Sequence, residues 1–354
     1  MKELTSLQRC LNVLNGEWPD RVPVVPQSFM FAVETAGYRI GEANRSGKLM
    51  AEAHRISQEK FSYDGCVIDF DDASLAEACG AKIIYREDEP AVVDESEPLL
   101  KDLREIEDLK LPDPYKDGRL PEWLEATERL HAMIGDEVLI MGRADQGPFS
   151  LACLLRGMEQ FMMDILIEDQ ALIEKVLDYT RRACAVFAKA QKDAGAHITS
   201  IGDALAGPAL IAPETYRKLA WEPEKRLTRE VRDYDIPFSI HICGDTTEII
   251  DDMGKTGADV LELDWKVDMG NARKVLPAGT VIMGNIDPSD PLVLGSPGQV
   301  DEKARKIINA TGGRGLILSS GCAMGRNTPA DNMRAMVEAP KKYGTYEQLM
   351  AMNE

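Results

Sequence analysis

Three residues of the sequence carry side chains that suit a zinc ion: His241, Cys243 and Cys322. An imidazole and two thiolates form a borderline-soft ligand set, and three protein ligands leave a fourth coordination position for substrate, as catalytic zinc sites do. The His-x-Cys pair alone is a weak signal, because each residue can simply be buried in a core. Two cysteines can also form a redox pair. Taken with the distant cysteine, the pair favours a zinc site over both alternatives.

The strands that precede these residues must position them. Side chains alternate along a strand, so His241 and Cys243 lie on one face of a strand predicted at 237–243, at its C-terminal end. Cys322 follows the last predicted strand, 315–320, almost directly. Barrel enzymes keep their active sites at the C-terminal ends of the strands. We therefore expect the three side chains to meet at the C-terminal mouth of a barrel.

Short apolar, β-branched runs alternate with amphipathic helical stretches, which is the pattern of repeated βα units around a parallel sheet. The predicted strands are 22–27, 66–70, 138–143, 197–203, 237–243, 260–264, 280–285 and 315–320. Eight such units predict an α/β fold of the (β/α)₈ TIM-type barrel class. A chain of 354 residues with 44% hydrophobic residues is compatible with one such domain over 1–354.

The connection between the second and third predicted strands is too long for a single helix. It contains a second β-like pair, 82–85 and 91–93, and then a polar stretch. We interpret 72–137 as an insertion over the barrel mouth. Such an insertion forms a lid or a platform for a partner, or is a decorated loop without a role of its own.

Further polar residues fall at the ends of predicted strands. Glu262 lies between apolar residues on the strand next to His241 and is the best candidate for a fourth metal ligand, although a structural hydrogen bond explains it equally well. An acid at a barrel mouth can serve as a general acid or base, or can cap a helix and orient a loop. The candidates for catalysis are Asp203, Asn285 and Asp287, and those expected to line the cavity also include Asp69, Asp71, Arg143 and Asp145.

The composition excludes several classes of function. A formal net charge of −19 repels a phosphate backbone, so nucleic acid is not an expected partner. No apolar run reaches the length of a signal peptide or a membrane span. Seven cysteines scattered along the chain suit reduced thiols or metal ligands rather than a disulfide framework. These features predict a cytoplasmic protein.

Four motifs carry a resemblance to a known family. They are the Gly-Glu-x-Pro-Asp-Arg-Val-Pro-Val opening at 16–24, His-Ile-Cys-Gly-Asp at 241–245, Gly-Asn-Ile-Asp-Pro at 284–288, and Gly-Cys at 321–322. With them the chain resembles the uroporphyrinogen decarboxylase superfamily over nearly its whole length. The His-x-Cys-Gly motif and the distant cysteine are similar to the zinc motif of its corrinoid-dependent methyltransferase branch. That branch includes methylcobamide:coenzyme M methyltransferases and methyltransferase components of bacterial O-demethylases.

The resemblance implies methyl transfer to or from a cobamide cofactor that a partner corrinoid protein carries. The other substrate would be a thiol such as coenzyme M, or a methyl ether as in O-demethylation, with Zn²⁺ acting on its sulfur or oxygen. The decarboxylases of the superfamily bind tetrapyrrole propionates with arginines after the first strand, whereas residues 27–34 contain none. A uroporphyrinogen decarboxylase-type reaction is therefore the alternative, and a non-catalytic corrinoid- or tetrapyrrole-binding protein is a third hypothesis.

Overall fold

The computed structural model describes residues 3–353. The strands are β1 (Gly65–Ile68), β2 (Ile83–Ile84), β3 (Val92–Val93), β4 (Leu139–Gln146), β5 (Ile198–Gly202), β6 (Phe238–Ile242), β7 (Val260–Leu263), β8 (Val281–Ile286) and β9 (Leu316–Ser320). The helices before β5 are α1 (Ser6–Leu14), α2 (Phe29–Ala36), α3 (Ile40–Ala43), α4 (Gly47–Phe61), α5 (Ser74–Ala78), α6 (Leu120–Ile134), α7 (Pro148–Arg156), α8 (Met158–Ile167) and α9 (Gln170–Asp193). Those after β5 are α10 (Pro213–Thr215), α11 (Trp221–Asp233), α12 (Ile250–Lys255), α13 (Met269–Val275), α14 (Pro297–Thr311), α15 (Ala330–Tyr343) and α16 (Tyr346–Asn353).

Seven strands form one parallel sheet in the order β1-β4-β5-β6-β7-β8-β9. Consecutive strands of this sheet are neighbours, and helices connect them, which is the arrangement that repeated βα units produce. The prediction of an α/β fold on parallel strands is confirmed. Each of the seven lies within a few residues of its predicted position, and the largest difference is in β4, which continues to Gln146 after an irregularity in its pairing with β5.

The first predicted strand, 22–27, is not a regular strand. Val24 forms a single parallel bridge with Leu318 of β9, and the backbone N–H of Asp64 donates to the Val24 carbonyl at 2.7 Å. The segment therefore hydrogen-bonds to β9 on one side and to the residue before β1 on the other. Pro23 and Pro26 lack backbone N–H groups, so this segment cannot form a continuous ladder.

The inner faces of the strands change character along their length. Their N-terminal halves form a small apolar core with α1, in which Cys10 and Met141 are buried. Two residues further along the same faces, polar side chains replace apolar ones: Arg143 follows Met141, and Glu262 follows Val260. The apolar half closes the interior on the α1 side, and the polar half faces the C-terminal ends of the strands.

Between β1 and β4 the chain forms more than one element. β2 and β3 pair as an antiparallel hairpin, with Ile83 opposite Val93, where the sequence predicted a β-like pair. A short 3₁₀ helix, Leu103–Glu107, follows, and α6 then packs against α4. Among the described helices, none combines the length and the apolar character that crossing a membrane requires.

Candidate metal centre and its cavity

His241, Cys243 and Cys322 converge at the C-terminal ends of two strands. His241 is the fourth residue of β6, Cys243 follows that strand directly, and Cys322 lies two residues after β9. His241 Nε2 lies 3.2 Å from Cys243 Sγ, and the two sulfurs are 3.7 Å apart. In the part of the chain that the structure describes, these three form the group of His, Cys, Asp or Glu side chains with ligand atoms close enough to share an ion, all within 4.8 Å of one another.

These separations fit tetrahedral zinc. With Zn–S bonds of about 2.3 Å and a Zn–N bond of about 2.0 Å, a tetrahedral ion places two sulfurs about 3.8 Å apart and a nitrogen and a sulfur about 3.5 Å apart. The sulfur–sulfur distance of 3.7 Å matches, and the nitrogen–sulfur distance of 3.2 Å is slightly shorter. One imidazole and two thiolates are also a ligand set that Zn²⁺ prefers. The residues present therefore fit the ion.

The backbone of the neighbouring strand orients the imidazole ring. His241 pairs with Glu262 in the register of β6 and β7, and His241 Nδ1 lies 3.0 Å from the Glu262 carbonyl oxygen. A proton on Nδ1 donates to that carbonyl and leaves Nε2 free to bind a metal. Ligand histidines in metalloproteins are commonly fixed in this way through their second nitrogen.

The surroundings of the two thiols shift their pKa values in opposite directions. The hydrogen bond from Cys243, together with contacts from His241, lowers the pKa of Cys322 to about 3. The same thiol–thiolate contact, with burial, raises the pKa of Cys243. Burial lowers the pKa of His241, but the adjacent Cys322 outweighs it and the net shift is upward. The contact between the two sulfurs thus favours the thiolate form, which binds metals, on one of them.

The Glu262 side chain has partners other than His241, Cys243 and Cys322. Arg143 Nη2 donates to Glu262 Oε2 at 2.9 Å, and the Ser239 hydroxyl donates to Glu262 Oε1 at 2.8 Å. The Glu262 carboxylate is fully buried and is not part of the convergent group. The structure therefore gives no support to a fourth metal ligand at this position, because an ion pair already engages the carboxylate.

A cavity of about 500 Å³ opens beside His241, Cys243 and Cys322, the candidate metal-ligand group. Its walls combine strand ends, the β2–β3 hairpin region and the start of α2. They are formed by Gln27, Phe29, Met30, Asp69, Phe70, Asp71, Asp72, Ala73, Arg86, Glu89, Pro90, Ala91, Val92, Val93, Glu95, Arg143, Gln146, Leu154, Gly202, Ala204, His241, Cys243, Cys322 and Ala323. This volume is in the range of small-molecule sites in proteins.

The three predicted catalytic residues do not line this cavity. The Asp203 carboxylate is fully buried and accepts from two backbone N–H groups in the first turn of α7, at 2.7 and 3.3 Å. The Asn285 amide donates to two carbonyls after β7, at 2.9 and 2.7 Å. Asp287 accepts from two amides of its own turn. All three side chains make capping or loop-orienting contacts in the structure. That role was the alternative to catalysis in the interpretation of the sequence.

Other expectations for the cavity were met in part. Asp69, Asp71 and Arg143 line it, whereas Asp145 instead accepts from a backbone N–H at the start of α5. Sequence reasoning missed Asp72, whose carboxylate accepts from the Gln146 side chain at 2.6 Å. The acidic run after the second predicted strand was a signal for Asp72. Nothing in the local pattern indicated that β4 would continue as far as Gln146.

Comparison with known proteins gives three results. The family model described as uroporphyrinogen decarboxylase (URO-D) matches residues 5–343. The methylcobamide:CoM methyltransferase MtbA of Methanosarcina acetivorans is 30% identical over 348 residues, covering 97% of this chain and 99% of that protein. A uroporphyrinogen decarboxylase of Syntrophotalea carbinolica is 26% identical over 303 residues, covering 84% of each chain.

A solved structure is similar over the same length. The methyltransferase from Methanosarcina mazei superposes with a TM-score of 0.88 at 26% identity, covering 96% of this chain and 99% of that chain. Both comparisons with methyltransferases thus extend over nearly the whole molecule, including the β6 and β9 ends that carry the metal-ligand group.

Proposed function

Since the chain belongs to the uroporphyrinogen decarboxylase (URO-D) family, as its motifs predicted, we propose that it is a zinc-dependent, corrinoid-dependent methyltransferase. It would move a methyl group between a cobamide on a partner corrinoid protein and a small substrate. The observation that carries this proposal is the convergence of His241, Cys243 and Cys322 beside a cavity. The methylcobamide:CoM methyltransferases among its relatives support the same reaction class.

The side chains have separable tasks in this proposal. His241, Cys243 and Cys322 would hold Zn²⁺, which when bound supplies a Lewis acid for the sulfur or oxygen of the substrate. The Glu262 carbonyl keeps the imidazole aimed with Nε2 toward the two sulfurs. Arg143 neutralises the Glu262 carboxylate behind the ligands, so that no unpaired buried charge remains there. Three ligands leave a coordination position for a thiol or a methyl ether.

We propose that the seven-stranded sheet and segment 22–27 together close a (β/α)₈ barrel. Region 72–137 would cover its mouth, because the β2–β3 hairpin region supplies walls of the cavity on that side. The corrinoid protein would approach this face to bring its cobalt to the substrate. The negative net charge argues against nucleic acid as a partner, and the free cysteines of the structure suit a cytoplasmic location.

Metal removal tests the proposal directly. Protein purified without chelator is expected to contain about one zinc per chain, and dialysis against a chelator should abolish methyl transfer from methylcobalamin to thiols. Added Zn²⁺ should restore transfer. The measurements are elemental analysis and the cobalamin absorption spectrum, with magnesium addition as the control. Full activity in metal-free protein would contradict the mechanism.

A decarboxylase acting on a tetrapyrrole is the alternative. The URO-D family match and decarboxylase relatives at 26% identity are the observations that support this alternative. The cavity does not favour it, because both arginines in its walls, Arg86 and Arg143, already pair with carboxylates. Release of CO₂ from uroporphyrinogen would support this alternative, and we expect none.

Replacing Asp203 by alanine distinguishes a capping role from a catalytic one. The substitution removes the acceptor for two N–H groups of α7, so we expect a loss of about 1–2 kcal/mol in the free energy of unfolding. Methyl transfer per folded molecule should change less than about twofold, because the side chain does not line the cavity. Urea denaturation and the methylcobalamin assay measure the two quantities. A rate loss well beyond the loss of folded protein would instead support the catalytic role predicted from the sequence.

A further inference from the structure

The walls of the cavity carry more carboxylates than cationic groups. Among the described lining residues the carboxylates are Asp69, Asp71, Asp72, Glu89 and Glu95, and the guanidinium groups are Arg86 and Arg143. His241 is excluded from the balance because it belongs to the metal-ligand group. A small molecule that enters therefore meets more carboxyl groups than cationic groups.

Neither guanidinium group is free to bind an anion. Arg143 is 3% exposed and lies between two acids, with Nη2 2.9 Å from Glu262 Oε2 and Nε 3.5 Å from Asp69 Oδ2. Arg86 forms an ion pair with Glu89. The Arg143 guanidinium is thus shared by the Glu262 and Asp69 carboxylates, and the Arg86 guanidinium is paired with Glu89, three residues further along the chain.

The acids differ in how well they are neutralised. Asp71 forms a close ion pair with Arg119, whose Nη1 lies 2.6 Å from Asp71 Oδ2 and whose Nε also pairs with Glu77. Asp72 accepts only from the uncharged Gln146 amide, and no cationic group of the described chain lies within ion-pair distance of it. Asp69 shares Arg143 with Glu262. Asp72 therefore has no ion-pair partner among the described residues, and Asp69 has only the 3.5 Å contact with Arg143.

A positively charged ligand would relieve this imbalance, and a negatively charged one would increase it. Burial raises the pKa of Asp69, and the neighbouring acids add to that effect. A bound cation favours the ionised form of such a carboxyl group, whereas a bound anion disfavours it.

We propose that the small substrate of this site carries a positive charge, in contrast to coenzyme M, whose sulfonate is an anion. The inference rests on the proposed methyltransferase function and specifies its substrate class. Ammonium-bearing thiols, or methylated molecules with an ammonium group, have the required chemistry. The carboxylates of Asp69 and Asp72 would act as the charge-selecting groups.

Three thiols of the same length isolate the effect of charge. Cysteamine is cationic, mercaptoethanol is neutral, and coenzyme M carries a sulfonate on the same two-carbon chain. In the assay the thiol sulfur takes the methyl group of methylcobalamin, the thiol proton goes to solvent, and cobalt keeps the electron pair as Co(I). We expect kcat/KM to fall in the order cysteamine, mercaptoethanol, coenzyme M, with at least about tenfold between the first and last. Equal or faster transfer to coenzyme M would overturn the proposal.

The three thiols also differ in intrinsic reactivity. Comparing their kcat/KM ratio between the Asp72→Asn variant and the unmodified protein cancels that difference, because the same thiols react with both proteins. The ratio of kcat/KM for cysteamine to that for coenzyme M should fall at least about fivefold in the variant, because only the side-chain charge has changed. Glu338→Gln, an exposed acid on α15, is the matched control and should leave the ratio as in the unmodified protein. An unchanged ratio in Asp72→Asn would count against this residue as a selecting group.

Calorimetry separates this proposal from the one on which it rests. Isothermal titration of the zinc-loaded protein with each thiol reports binding without turnover. If none of the three thiols consumes methylcobalamin, thiol methylation fails, and the binding order still decides the question of charge. Tighter binding of cysteamine than of coenzyme M supports the inference, and the reverse order overturns it.

Discussion

Cys322→Ser is expected to reduce zinc from about one ion per chain to nearly none, and to abolish methyl transfer with it. Cys322 is the member of the proposed ligand set that links β9 to the pair on β6, and its neighbours lower the pKa of its thiol. A serine hydroxyl remains protonated and binds zinc poorly. We expect metal affinity to fall by at least about 100-fold, since disturbing even the partners of a ligand costs 10- to 100-fold.

Elemental analysis and the methylcobalamin assay measure these two losses, and circular dichroism of the same samples distinguishes metal loss from unfolding. Cys10→Ala is the matched control. Cys10 is a fully buried cysteine of α1, in the apolar core at the other end of the strands, and its removal should leave the zinc content unchanged. Normal zinc in Cys322→Ser would show that the three side chains do not form the metal site.

Asp64→Ala is expected to cost about 3–5 kcal/mol in the free energy of unfolding. The Asp64 carboxylate is fully buried and accepts from Arg9 at 2.7 Å, from Arg21 at 2.8 Å and from the backbone N–H of Val24 at 2.8 Å. Alanine would leave the Arg21 guanidinium without its ion-pair partner among the described residues, and Arg9 with Asp20 alone. The change also removes the side-chain acceptor of the Val24 N–H and leaves only the backbone bond from residue 64 to the Val24 carbonyl.

Urea denaturation monitored by fluorescence measures this cost. Glu87→Ala is the control, because its pair with Arg39 spans 3.0 Å but leaves the two side chains 77% and 59% exposed. Water screens such a pair, so no measurable change in the denaturation midpoint is expected. If the two variants were equally stable, burial would not be the source of the stability at Asp64.

Local patterns were sufficient to predict the strands and the convergence of the three candidate metal ligands. Apolar runs of strand length located the seven parallel strands, and their C-terminal ends located His241, Cys243 and Cys322. The prediction of a regular first strand was wrong, because two prolines of segment 22–27 remove its backbone donors. That error had a local cause, which the sequence already contained.

The partners of the polar side chains could not be predicted in the same way. Glu262 pairs with Arg143, which is 119 residues distant, and Asp203 caps a helix that begins more than 50 residues earlier. Such pairings depend on which strand ends and helix starts become neighbours, and periodicity along the chain does not specify that. The sequence therefore identified an acid at a strand end as a buried polar residue, but it did not identify the role of that acid.

The hydrogen bond that aims His241 uses a main-chain oxygen of Glu262, and the side chain of that residue is occupied elsewhere. The pairing of β6 with β7 therefore sets the direction of the His241 ring, and the identity of the side chain at position 262 does not affect it. A substitution at position 262 would therefore leave the imidazole in place, and its effect would fall on the buried Arg143 guanidinium, which would lose its closest carboxylate.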